Sequence, residues 1–77
     1  MAGRELVRDV TYQDRRVAHI RCFYDEDGQT TIVEADVYPV MGGAPQRKPY
    51  RFATAHDAFR FVQEAVLVFQ YLGCSVA

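Results

Sequence analysis

The residues best suited to chemistry in this chain are few. His19, His56, Cys22 and Cys74 are its only strong soft-metal ligands. None stands at the spacing of a ligand pair, and no Cys-x-x-Cys occurs. His19 and Cys22 differ in parity, so a strand carrying both would point them to opposite faces. Gly42-Gly43 is not followed by the lysine and hydroxyl residue of a phosphate loop, and Ser75 and the threonines lack the context of a nucleophile elbow. The expectation is therefore no catalytic residue, no metal and no cofactor, in a protein that is not an enzyme. His19 keeps some interest because strand pairing can set carboxylates beside it. Asp9 on one side and Asp36 on the other would favour the imidazolium and make a general base or a pH-sensitive contact. The plainer reading is an exposed charge ladder that helps strands pair.

A second pattern mixes cations with aromatics. Eight of the nine cations are arginine, a residue suited to planar, bidentate contacts. Arg4, Arg8, Arg15, Arg16 and Arg21 crowd the first third. Arg21, Phe23 and Tyr38, with Arg47, Lys48 and Arg51 further on, are the candidates for a single-stranded nucleic-acid contact. Asp9, Glu34 and Asp36 fall among them, and the net charge is −1, so phosphate attraction is expected to be weak and salt-sensitive.

Positioning these groups falls to strands. Glu5 to Tyr12, Arg16 to Tyr24 and Thr30 to Tyr38 are rich in Val, Ile, Thr and aromatics with two-residue alternation. Asp27-Gly28 between the second and third is a strong hairpin signal. Counting outward from it pairs Tyr24 with Thr31, Cys22 with Val33, Ile20 with Ala35 and Ala18 with Val37 on a core face. The opposite face pairs Phe23 with Ile32, Arg21 with Glu34, His19 with Asp36 and Val17 with Tyr38. A slip of one residue would send Glu34 and Asp36 into the core. For the first hairpin, a three-residue Gln13-Asp14-Arg15 loop sets Tyr12 opposite Arg16, Val10 opposite Ala18 and Leu6 opposite Cys22. It also brings Asp9 to His19 and leaves Arg8 pointing inward at the sheet margin. A two-residue loop would instead carry Asp9 and Glu5 inward, at the cost of burying charge.

The prolines and paired glycines of Tyr38 to Pro49 predict a long, mobile connection. Tyr50 to Ala53 then forms a short fourth, edge strand. Thr54 with Asp57 resembles a capping box, opening a helix that runs to Leu72 and stops at Gly73. Its apolar stripe, Ala58, Phe59, Phe61, Val62, Ala65, Val66, Phe69 and Leu72, would bury on the sheet. Leu67 and Tyr71 interrupt the polar side and Val68 widens the stripe, so Leu67, Val68 and Tyr71 are the candidate interaction residues.

The fold class expected is α+β, a four-stranded antiparallel meander in the order 1-2-3-4 packed against one C-terminal helix. At 77 residues, with 49% apolar and 25% charged residues, there is room for one domain. No apolar run approaches a membrane span, and the charged N-terminus lacks the form of a signal peptide, which points to a reducing cytoplasm with free thiols. The stretch Tyr-Arg-Phe-Ala-Thr-Ala-His-Asp-Ala-Phe-Arg-Phe-Val from Tyr50, ending in Leu72-Gly73, resembles the tail of small bacterial families of unknown function that join a meander to one helix. That resemblance implies a fold and no activity. The element order is also similar to single-strand nucleic-acid binders of the transcriptional-coactivator and whirly type, a likeness of architecture alone. The function expected is a non-enzymatic interaction module, a homodimer or the partner of another protein. The alternative is a weak single-stranded nucleic-acid-binding domain.

Overall fold

The computed structural model describes residues 5–77, so Arg4 lies outside the described residues. Four strands follow one another, β1 (Leu6–Tyr12), β2 (Arg15–Tyr24), β3 (Thr31–Val37) and β4 (Gln46–Phe52), before the helix α1 (Ala55–Tyr71) and a short β5 (Ser75–Val76). The order across the sheet is β4-β3-β2-β1-β5, and every pairing is antiparallel. The fold is α+β, a meander with one C-terminal helix, as the sequence predicts.

The β2–β3 register is the one counted from Asp27-Gly28, from Ala18 opposite Val37 to Tyr24 opposite Thr31. The turn is wider than those two residues. Asp25 donates its N–H to the Thr30 carbonyl at 2.8 Å, and Gly28 donates to the Asp25 carbonyl at 2.9 Å. Asp27 Oδ1 accepts from the N–H groups of Gln29 and Thr30 at 2.8 and 2.9 Å, and the Thr30 hydroxyl donates to Oδ2 at 2.8 Å. A two-residue and a four-residue loop centred on the same bond give the same register.

The first hairpin corrects the expected three-residue loop. Gln13 and Asp14 take φ of 51° and 65°, so both lie in the left-handed region of a tight two-residue turn. Tyr12 faces Arg15 and Thr11 faces Arg16, and the register then shifts so that Val10 faces Ala18 and Asp9 faces His19. Val17 is the extra residue, a bulge that returns the charged residues to the outer face. Both sequence alternatives were partly right, since the turn has two residues and the strand bodies keep the three-residue register.

β4 begins earlier than Tyr50 and ends at Phe52, leaving a connection of residues 38–45 only. Pro49 opposite Glu34 is tolerated for a reason visible in the pairing. Tyr38 donates its N–H to the Val17 carbonyl at 2.9 Å, so alternate β3 residues from Tyr38 back to Ile32 bond β2. The intervening residues bond Gln46, Lys48, Tyr50 and Phe52, and Pro49 turns its missing donor to the open edge.

Thr54 caps α1, its hydroxyl accepting the Asp57 N–H at 3.1 Å. Gly73, at φ 93°, reverses the chain after the helix and delivers β5 to β1, an addition the sequence did not signal. Asp9 and Ala77 exchange backbone bonds of 3.2 and 2.9 Å there. Val10, Ala18, Ile20, Cys22 and Val33 from the sheet and Ala58 and Val62 from the helix form the buried core. Phe61 joins α1 to β4 through Tyr50 and Phe52, at ring centroid distances of 4.9 and 5.3 Å.

Candidate functional site

The sheet has one face under the helix and one without it, and the uncovered face carries most of the charged strand residues. His19 Nδ1 lies 2.7 Å from Asp9 Oδ1; a carboxylate only accepts, so the imidazole holds its proton on Nδ1 and donates it. That bond is the main reason the Asp9 carboxyl stays below the usual carboxylate range. Asp36 is the backbone neighbour of His19 across β2–β3, as expected, but its side chain goes to another strand. Arg47 donates through Nε at 2.9 Å and Nη2 at 3.2 Å, a bidentate grip that lowers the Asp36 carboxyl. His19 is thus bonded by one carboxylate.

Most of the cations proposed for nucleic acid are similarly occupied. Arg21 reaches Glu5 at 2.8 Å and Glu34 at 3.5 Å, while its guanidinium lies 5.0 Å from the Phe23 ring centroid. Arg51 pairs with Asp25 at 2.8 Å. Tyr38 accepts from Arg16 Nη1 at 3.4 Å and lies under its guanidinium. Arg21, Phe23, Arg47 and Arg51 therefore share one face with Tyr38 at its margin. Lys48 does not, because it stands opposite Ala35, in the rows that face the helix side. Phosphate would have to displace these carboxylates, which weakens net attraction. Reading the sequence alone misses Arg47 with Asp36 and Arg51 with Asp25, because both depend on where β4 begins.

The second surface is on α1. Leu67, Val68, Tyr71 and Leu72 are 64%, 58%, 90% and 63% exposed, an apolar patch running down the solvent side and end of the helix. The three interaction candidates from the sequence are together, and Leu72, assigned there to the buried stripe, joins them instead. The helix leans on β2 and β3, with β5 and β4 at its flanks. Its β1 side opens into a groove of about 840 Å³, where Leu6, Phe59, Val62, Val66, Leu67 and Val76 form the apolar walls and Arg8 and Glu5 the polar rim. Arg8 lies at the sheet margin on the helix side, as the register predicts.

The two cysteines are free; Cys22 is buried, which pushes its thiol pKa up and away from reactivity. Among the described residues no three His, Cys, Asp or Glu side chains gather as a metal site, and no helix is long and apolar enough to cross a membrane. No family model, curated protein or solved structure matches the chain.

Proposed function

We propose that this protein is a non-enzymatic interaction module of the cytoplasm whose first partner is a second copy of itself, joined through the solvent side of α1. One observation supports the reading: Leu67, Val68, Tyr71 and Leu72 lie exposed together on a domain whose described residues include only eight that are buried. Small domains gain little stability from one core, and burying each large apolar side chain against a partner contributes roughly 1.5–3 kcal/mol. A two-fold contact would use the same patch twice, setting Leu67 and Tyr71 of one copy against those of the other. The ion-paired outer face is a poor competitor for that role, since apolar area, not satisfied charge, drives association.

Sedimentation equilibrium at micromolar concentration tests this. The expected result is a dimer that Leu67→Glu converts to a monomer of lower thermal stability. A monomeric wild-type chain, with Leu67→Glu leaving mass and stability unchanged, would remove the proposal.

A further inference from the structure

We propose that the apolar cavity between α1 and the β3–β4 side of the sheet is a binding site for a medium-chain carboxylate, with the chain held under the helix and the head group at Lys48. Two features of the fold meet there. The first is a space that the core leaves unfilled. A cavity of about 210 Å³ lies between helix and sheet, with Ala18, Ala35 and Ala65 around it and Tyr50, Phe61 and Phe69 as its bulky walls. Its origin is in the side chains. Phe61 sits on Tyr50 and Phe52 at centroid distances of 4.9 and 5.3 Å, which props this flank of α1 away from the strands. The alanines beneath are too short to fill that depth, so the walls lack the close contacts a packed core would give them.

The Tyr50 hydroxyl is the only side-chain polar group in the lining. Water needs two or more polar partners to settle in such a space, so an apolar group is the favoured occupant. An apolar cavity of about 150 Å³ accepts benzene, and in proportion this one takes a chain of about eight carbons. The second feature is the charge at the mouth. Val37 and Tyr50 both line the cavity and are exposed, so it opens to solvent along β3 and β4. Lys48 stands opposite Ala35 and two residues from Tyr50, on the same helix-side face. It is exposed, and among the described residues no carboxylate lies within ion-pair distance of it. Apolar walls with one free ammonium at the entrance match a molecule that is apolar along its length and singly negative at one end. The cavity shares no lining residue with Leu67, Val68, Tyr71 and Leu72, so it stands apart from the surface proposed for pairing of copies.

Sodium octanoate, titrated below its micelle concentration into the full chain labelled with nitrogen-15, tests the proposal. Saturable amide shifts centred on Ala35 and Val37 are expected, together with a rise in Tm. Lys48→Glu, an exposed change that leaves the core alone, is expected to weaken octanoate about tenfold and to turn the preference to octylamine. Ala35→Leu, which builds an isopropyl group into the space, is expected to abolish binding. No saturable shift in the wild-type chain would overturn the proposal. So would shifts centred on Leu6 and Val76, across the helix, or octanoate bound with wild-type strength by Lys48→Glu or by folded Ala35→Leu.

Discussion

Thr31 is 2% exposed, and its hydroxyl has no hydrogen-bond partner among the described residues. It stands in β3 between Tyr24 of β2 and Phe52 of β4, on the face that packs under the helix. A buried hydroxyl left unpaired costs about 1–3 kcal/mol. Valine has the same branching at Cβ and nearly the same volume, so Thr31→Val replaces the unpaired oxygen with a methyl group in a site already shaped for it. Both consequences favour the folded state, and the expected gain is about 1–2 kcal/mol. For a domain of this length each kcal/mol moves Tm by about 4–8 °C. Urea unfolding followed by far-ultraviolet circular dichroism should show a higher midpoint with an unchanged slope. Thr31→Ala separates the contributions, because it removes the hydroxyl together with the packed methyl and should leave the domain no more stable than wild type. A lower midpoint for Thr31→Val would refute the reasoning, since it would mean that the hydroxyl is bonded in the folded protein.

Acid should weaken the fold through the sheet's carboxylates. Asp9 and Asp36 are held low by His19 and Arg47, and Asp27 by the turn amides, so their contribution is present above the ordinary value near pH 4 and lost as pH falls through the folded values. Urea midpoints from about pH 6 to about pH 2 should fall less steeply for Asp9→Asn than for wild type, and identical slopes would contradict the linkage. Pro49→Val should restore a donor at the outer edge of β4 without disturbing its bonds to β3, giving concentration-dependent association through that edge in light scattering. An unchanged mass would show that Pro49 is not what closes the edge.

How far the sequence could be read depended on which signals were local. Asp27-Gly28 and the alternation around it specified every β2–β3 pair, because a slip would have buried Glu34 and Asp36. Thr54 and Asp57 located the start of α1 through one capping bond. The Val17 bulge was hidden because a tight turn plus one extra residue places the same side chains outward as a longer loop does. The true extent of β4 was hidden by Pro49, which reads as a strand breaker until its neighbour on only one side is known. β5 was illegible because two residues carry no periodicity, and only the turn at Gly73 and the edge of β1 make them a strand. The pairing of Asp36 with Arg47, and so the actual surroundings of His19, followed from β4 and was lost with it.

The surfaces of this domain are not equally free to act, and the difference comes from how the sheet ends. The outer face spends its arginines on its own carboxylates, and most of those pairs are solvent-exposed and worth little individually, but they leave little net field to attract a charged partner. The β4 edge lacks its middle donor at Pro49, and Arg47 and Arg51 flank the gap, so a strand docking there would meet charge and find one bond missing. The loop tip at Val40 and Met41 is exposed but has no neighbouring apolar wall among the groove residues. What remains is one continuous apolar region, from the groove walls at Leu6 and Val66 to Leu67 and on to Tyr71. Occupation of any part of it by a partner that ignores the unfolded chain stabilises the fold by about 2.7 kcal/mol at a hundred times the dissociation constant. For a fold whose described residues include eight that are buried, that is a large fraction of the whole, so stability and binding should be coupled through α1, and a ligand of this region should reveal itself by raising Tm.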